Sequence, residues 1–277
     1  MAIEATLKPA PVNLTGVPET MLWPLYNRAS ESARAAAIFR DDKASAIAAA
    51  IDYPYARSFG PPDMWHVLRP LRFDEQIRRY LELHPAAQVV GLGEGLETQF
   101  WRVDNGRVKW LAVDLPESIA VRRRFLPDEP RHRNLAGSAL DFSWLDEVDP
   151  ANGVVVTAQG LLMYFQPDSV RGLIGACAER FSGGIMLFDT INIAYAAATM
   201  TKSMKTPDYQ LPPMPWGFDA DRPEIIKSFH PDIAAVDELD LGGGRGLTRG
   251  LGFQLRKRLG WLDRNRSAFW RLRFGAR

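Results

Sequence analysis

Between Ala87 and Pro116 the chain reads AQVVGLGEGLETQFWRVDNGRVKWLAVDLP, and this stretch constrains the fold more than any other. Val89 and Val90 form a short apolar run of the kind that makes a buried parallel strand. Gly91, Gly93 and Gly95 follow at once, and glycine permits the positive φ and close backbone approach of a ligand cradle. Leu96 to Val103 is the expected helix, Val108–Val113 the next strand, and Asp114 closes it. An acidic residue about 20 positions beyond such glycines can accept hydrogen bonds from ribose hydroxyls. The unit reads as a nucleoside cradle. Its spacing disfavours a dinucleotide, because Leu96 stands where the third glycine of that turn belongs.

A chain of 277 residues can form one large α/β domain or two small ones, with a sizeable core. A hydrophobic share of 46% and a charged share of 24% are those of a globular protein. The net charge of +1 gives no reason to invoke nucleic acid or an anionic membrane surface. Cys177 stands alone, so no internal disulfide forms, which fits a reducing compartment; its helical neighbours Leu173, Ile174 and Phe181 point to core packing. No apolar run has the length of a membrane span, and MAIEATLKPAPVNLTG lacks the apolar segment of a signal peptide. A cytoplasmic protein without a membrane partner is the expectation.

Residues 1–17 read as a loose arm, followed by a long helix from Met21 to about Phe39 and an Ala-rich one from Ala44 to Ile51. The aromatic segment Tyr53–Met64 is punctuated by prolines and reads as irregular, and a further helix spans Pro70 to Leu83. No parallel strand is expected before residue 87. Residues 1–84 therefore read as an arm and helical cap, and 85–277 as an α/β core. In that core Pro116–Phe125 is a helix, Arg131–Ala136 a weak strand, Gly153–Ala158 the strongest buried strand and Ile185–Asp189 a fifth. A short helix runs from Asp141 through Val148, and another from Gln166-Pro167-Asp168 to Phe181. Ala194–Asp221 is a long Met- and Pro-rich insertion, and loops of that length are usually functional. Arg222–Phe229 reads as a helix, Ile233–Leu241 as a strand or loop, Gly242–Gly246 as a turn, Leu247–Leu259 as a basic helix and Ala268–Phe274 as an edge strand.

Repeated strand–helix units build a doubly wound sheet, whose ligands bind beyond the carboxyl ends of the strands. The glycines, Asp114, Asp141 and Gln159 all fall at such ends.

Four segments together resemble one family. VVGLGEGLETQFWRV is similar to an L-G-x-G-L-(D/E)-T motif followed by an aromatic-Arg pair, and WLAVDLPESIAVRRRFLP to W-x-x-x-D-L-P. SALDFSWLDEV is similar to S-A-x-D-x-x-W-L, and VVVTAQGLLMYFQPDSV to A-E-G-L-x-M-Y-L. These motifs belong to the leucine carboxyl methyltransferase superfamily of S-adenosylmethionine-dependent O-methyltransferases. VPETMLWPLYNRASESAR resembles its bacterial branch, named for the tetracenomycin polyketide synthesis O-methyltransferase. The resemblance covers about residues 17–190.

It implies a Rossmann-like fold with a mostly parallel seven-stranded sheet, helices on both faces and an N-terminal helical cap. It also implies S-adenosylmethionine as cofactor, with no metal. Gly91, Gly93 and Gly95 would cradle its amino-acid part, Asp114 would meet its ribose, Leu140 and Asp141 its adenine, and Leu115 and Ala139 would be further cofactor-binding residues. Asp141 could equally cap a helix. Arg69 would meet the methionine carboxylate, with Arg28 a second candidate; both could instead be solvated helix cations. Gln159 and Gly160 stand where the family has Glu-Gly, which removes one negative charge beside the ligand.

The implied reaction is attack of an acceptor oxygen on the sulfonium methyl. A carboxylate acceptor needs no base, whereas a hydroxyl benefits from one. His66 and Tyr164 are the catalytic candidates; His84, His132 and His230 read as surface or structural residues. Tyr26, Trp65, Met163, Met204 and Trp216 would line an apolar pocket for a small, apolar or aromatic, polyketide-like acceptor. The Met-rich insertion could equally be a dimer contact, so monomer and homodimer both stay open. Alternative functions are a non-catalytic S-adenosylmethionine-binding protein and, less favoured by the glycine spacing, a nicotinamide-dependent oxidoreductase.

Overall fold

The computed structural model describes residues 9–202, 204–240 and 266–276. Seven strands form one sheet: β1 (Gln88–Leu92), β2 (Lys109–Asp114), β3 (His132–Ala136), β4 (Val154–Ala158), β5 (Ile185–Thr190), β6 (Ile233–Leu239) and β7 (Ala268–Phe274). Their order is β3-β2-β1-β4-β5-β7-β6. The first five are parallel, with Val90 of β1 level with Leu111 of β2 and Val156 of β4. β7 runs antiparallel to both β5 and β6.

The central strands are apolar throughout because both sheet faces are covered. Val90, Leu92, Val154, Val156, Met186 and Phe188 pack on one face with Val170, Leu173, Ile174 and Cys177 of helix α7 (Pro167–Arg180). On the other face, Val89, Val155, Ile185 and Leu187 meet Phe73, Ile77 and Leu81 of α4 (Trp65–Leu83) and Phe100 and Val103 of α5 (Gln99–Val103). α6 (Pro116–Phe125) connects β2 to β3. The expected α/β sheet with helices on both faces is the one that forms, and Cys177 is a fully buried core residue.

The N-terminal third differs in detail from the expectation. α1 (Leu22–Ser32) stops seven residues before Phe39, because Ser32 and Glu31 use their side chains to accept the backbone N–H groups of Asp41 and Ile38. Asp41 then caps α2 (Asp42–Ala50). Ala10–Pro11 pairs in parallel with Ile51–Asp52, so a short parallel pair does precede residue 87. The segment read as irregular holds α3 (Tyr55–Phe59). α4 begins at Trp65 and carries Pro70 in its interior.

Three further corrections concern the core. The helix expected from Leu96 begins only at Gln99, since the backbone from Gly93 to Thr98 is used in turns. The 194–221 insertion contains most of α8 (Ile193–Thr201), capped by Asn192. Ala268–Phe274 is no edge strand: it lies between β5 and β6, and β6 forms the edge. α9 is Pro223–Lys227. The expected turn at Gly242–Gly246 and helix at Leu247–Leu259 lie outside the described residues.

Candidate active site

A cavity of about 340 Å³ opens beyond the carboxyl ends of β1, β2, β4 and β5, where the strand order reverses between β1 and β4. The turn after β1 forms one wall. Asp114, at the end of β2, accepts the Gly95 N–H at 2.7 Å through one carboxylate oxygen and the Leu115 N–H at 2.7 Å through the other. Burial raises the Asp114 carboxyl above its ordinary range. Gly95 has a φ of 49°, and a Cβ there would lie 2.7 Å from that of Met21, so the N-terminal segment closes directly over the turn.

Gly91 has a different purpose. It lies inside β1 and does not line the cavity. A Cβ at Gly91 would meet the Glu94 carboxylate at 1.5 Å. The missing side chain lets Glu94 fold back and accept the Trp110 Nε1–H at 3.0 Å. Burial pushes the Glu94 carboxyl up to about 7, against the pull of Arg122.

Beneath the turn runs a buried ionic scaffold. Arg28 binds Asp41 at 3.1 Å, Glu97 at 2.9 Å and the Leu96 carbonyl at 2.8 Å. Arg122 donates to the carbonyls of Gly95 and Glu97 and to Asn134. Arg102 joins Asp41, Asp74 and Glu97. Burial alone would raise Glu97, but Arg102 and Arg28 hold it down at about 2. Arg28 borders the cavity, yet its guanidinium is spent on these partners.

The opposite wall is organised by Asp189, wholly buried at the end of β5. It accepts Arg69 Nη1–H at 2.9 Å, the Gly160 N–H at 2.6 Å and Trp65 Nε1–H at 3.4 Å. Gly160 is required here, since a Cβ would meet Arg69 Nη1 at 2.8 Å and its φ is 63°. Gln159 donates to Gln99 at 3.1 Å. Two of these lining side chains each keep one buried polar atom without a partner: a donor, Nε of Arg69, and an acceptor, Oε1 of Gln159.

His66, Asp63, Trp65, Tyr164, Met163 and Met214 also line the cavity. Tyr164 is pushed up to about 12 by burial, so it is a protonated phenol at neutral pH and no base. Gly93, Gly95, Asp114, Leu115, Gln159, Gly160, Arg28, Arg69, His66, Tyr164, Trp65 and Met163 thus meet around one cavity. Other candidates do not reach it. Tyr26 stacks on Tyr55 with ring centroids 5.5 Å apart. Trp216 is buried in the core against Phe218. Met204 is not among the lining residues, and its carbonyl accepts the Leu211 N–H at 2.9 Å. Ala139 and Leu140 pack on the core and the exposed Asp141 caps a short 3-10 helix at Ser143, all outside the cavity wall.

Sequence reading missed Asp189, Asp63, Glu94 and Glu97. Asp189 was findable, because it is the strand-five counterpart of the strand-end residues already singled out. Asp63 was hidden by a helix start placed at Pro70 rather than Trp65. No group of three or more His, Cys, Asp or Glu able to hold a metal occurs among the described residues. No described helix is long and apolar enough to cross a membrane.

Fold and site define a Rossmann-like α/β protein with a cavity at the switch point of the sheet. The crystal structure of the CurJ carbon methyltransferase matches that fold with a TM-score of 0.50 and 10% identity, over 94% of this chain and 68% of that one. The S-adenosylmethionine-dependent methyltransferase SibL matches at a TM-score of 0.45 and 14% identity; 73% of this chain is covered, which spans 54% of SibL. The tetracenomycin polyketide synthesis O-methyltransferase TcmP of Streptomyces glaucescens is 31% identical over 183 residues, 65% of this chain and 68% of TcmP. The leucine carboxyl methyltransferase family model matches residues 22–178. The chain belongs to the leucine carboxyl methyltransferase family, within the S-adenosylmethionine-dependent methyltransferases.

Proposed function

We propose that the protein transfers the methyl group of S-adenosylmethionine to an oxygen of a small, apolar or aromatic acceptor. The observation that carries this reading is the unsatisfied pair in the cavity wall. The Arg69 Nε donor and the Gln159 Oε1 acceptor suit the carboxylate and the ammonium of an amino-acid ligand. The donor set fits the rest of the cofactor: Asp114 for ribose hydroxyls, Leu115 beside it, and Glu97 and Asp189 as negative charge near a cation. Gly93 and Gly95 leave the backbone open to close approach. Ala139, Leu140 and Asp141 would serve the adenine beyond the cavity wall. Arg28 acts as a strut that holds the glycine turn, not as a ligand of the cofactor. When bound, S-adenosylmethionine supplies an electrophilic methyl group on a good leaving sulfur.

The protein's part in such a reaction is positioning. Residues 17–24 of the N-terminal segment and the Asp63–Arg69 segment line the cavity, which supports reading residues 1–84 as a cap over the 85–277 core. Trp23, Trp65, Met163, Met214 and Tyr195 offer aromatic and thioether surface to the acceptor. The name of the TcmP relative supports oxygen as the accepting atom.

Incubation with methyl-labelled S-adenosylmethionine and paired phenolic and carboxylic aromatic acceptors tests the reading. Label transferred to an acceptor oxygen supports it. Cofactor binding with methylation only at nitrogen or carbon would refute oxygen transfer, and tight NAD binding without S-adenosylmethionine binding would refute the class of chemistry.

A further inference from the structure

Gln99 opens α5 and is wholly buried, so both ends of its amide need partners. Its Nε2–H donates to Asp74 Oδ1 of α4 at 2.7 Å, and its Oε1 accepts the Gln159 Nε2–H at 3.1 Å. Asp74 is held in turn by Arg102, one turn further along α5. The Nε and Nη2 of Arg102 reach the two carboxylate oxygens at 2.8 and 3.1 Å. The chain of contacts runs from Arg102 through Asp74 and Gln99 to Gln159, which lines the cavity just beyond β4.

These contacts have a direction. Burial raises the Asp74 carboxyl, and the charge and hydrogen bonds of Arg102 oppose this. Arg102 only donates and keeps its charge, so its two-pronged grip favours the ionised carboxylate. An ionised Asp74 only accepts, and the end of Gln99 that faces it is therefore the NH2 group. The reverse orientation would set two acceptor oxygens 2.7 Å apart. Gln99 then turns its oxygen to Gln159, and Gln159 answers with its own NH2 group. What remains of Gln159 is Oε1, buried and without a partner among the described residues.

Resting on the methyl-transfer reading above, we infer that Gln99 is a positioning residue for the cofactor: it fixes the Gln159 amide with its oxygen presented to the ammonium of the amino-acid part. Gln99 is not among the lining residues and acts through Gln159. A freely rotating amide would offer that ammonium a donor as readily as an acceptor, and the donor end repels it. Orientation therefore decides the sign of the contact. The two glutamines are a matched pair, because a Glu at 159 would face the Gln99 oxygen acceptor to acceptor. Arg102 also binds Asp41 and Glu97, so the orientation of Gln159 is anchored in the same buried scaffold that supports the glycine turn.

The first readout needs no ligand. In protein carrying nitrogen-15 and carbon-13, NMR coupling across the hydrogen bond should join the Gln99 amide nitrogen to the Asp74 carboxyl carbon. Coupling from the Gln99 amide nitrogen to the Gln159 amide carbon would show the chain reversed and would overturn the proposal. The second readout is isothermal titration with S-adenosylhomocysteine and with its analogue lacking the α-amino group. The unsubstituted protein should bind S-adenosylhomocysteine at least about tenfold more tightly than the analogue. Gln99→Met removes both amide ends and should cut that preference to about threefold or less, with affinity for the analogue held within about threefold. Gln99→Glu should restore the preference, because a carboxyl oxygen faces Gln159 in either protonation state. An equal loss for both compounds in Gln99→Met, or an unchanged preference, would overturn the proposal. Failure of the unsubstituted protein to bind S-adenosylhomocysteine would instead sink the methyl-transfer reading, and the coupling result would stand apart from it.

Discussion

Arg69 and Asp189 form a buried ion pair at 2.9 Å, tying the first turns of α4 to the end of β5 across the cavity. The two side chains are 5% and 0% exposed, so neither charge has water to fall back on. Replacing Asp189 by Ala strands the guanidinium and also removes the acceptor of the Gly160 N–H. Breaking one side of such a pair costs about 3–5 kcal/mol. Urea denaturation of Asp189→Ala should show a loss of that order, whereas a loss below about 1 kcal/mol would mean that Arg69 finds solvent or another partner.

Gly91 and Glu94 compete for one volume. Gly91→Ala should evict the Glu94 carboxylate from Trp110, because the new methyl carbon would lie 1.5 Å from its oxygen. The expected cost is about 1–3 kcal/mol, the penalty for stranding buried hydrogen-bonding groups. In a Glu94→Ala background the same substitution should cost much less, and a double-mutant cycle by chemical denaturation measures the difference. Additive costs would show that Gly91 is needed for some other reason.

Glu94 also gives a pH signature. Its carboxyl is raised by burial from 4.5 to about 7 in the folded chain, so the folded state favours its protonated form. The associated stability is complete below pH 4.5 and is lost as pH rises through 7. The slope is at most one proton's worth, about 1.4 kcal/mol per pH unit. Glu97 works in the opposite sense and in a lower window, since its carboxyl is held at about 2 and its contribution fades as pH falls below 4.5. His132, lowered to about 4 by burial, overlaps the lower part of the Glu94 window with the opposite slope. Comparing Glu94→Gln with the unsubstituted chain cancels that overlap. The variant's thermal midpoint should fall less between pH 5 and about 7.5 than that of the parent. Parallel curves would contradict the buried, protonated assignment.

Arg28 makes a prediction about geometry without ligand contact. It joins Asp41, Glu97 and the Leu96 carbonyl, so Arg28→Met leaves two buried carboxylates short of a partner. We expect a loss of about 3–5 kcal/mol in unfolding free energy, seen by calorimetry or denaturation. A stable variant with weakened S-adenosylhomocysteine binding would instead make Arg28 a ligand of the cofactor.

The sheet was legible because its signals are local. GVVVTA and IMLFD are apolar runs that only a strand covered on both faces can use, and DLPES announces a helix start by its proline and acid. The glycine turn and Asp114 followed from the same logic. What stayed hidden depended on partners distant in sequence. AFWRLRF alternates as an exposed edge would, yet β7 is inserted between β5 and β6, where its Trp270 reaches Thr190. The end of α1 is set by Glu31 and Ser32 binding a chain that returns several residues later. Trp216 and Tyr26 look like pocket aromatics in one dimension, but tertiary packing spends them on the core and on Tyr55. Asp63 carries no signal of its own until the helix start at Trp65 brings His66 over it.

Isothermal titration with S-adenosylhomocysteine tests whether the strand-end cavity holds the adenosyl cofactor. The unsubstituted chain should bind one equivalent and show no heat with NAD. Asp114→Ala and Arg69→Met, verified as folded by circular dichroism, should each bind at least about tenfold more weakly, a loss of about 1.4 kcal/mol or more. Equal affinity in both variants, or NAD binding in place of S-adenosylhomocysteine, would contradict the account.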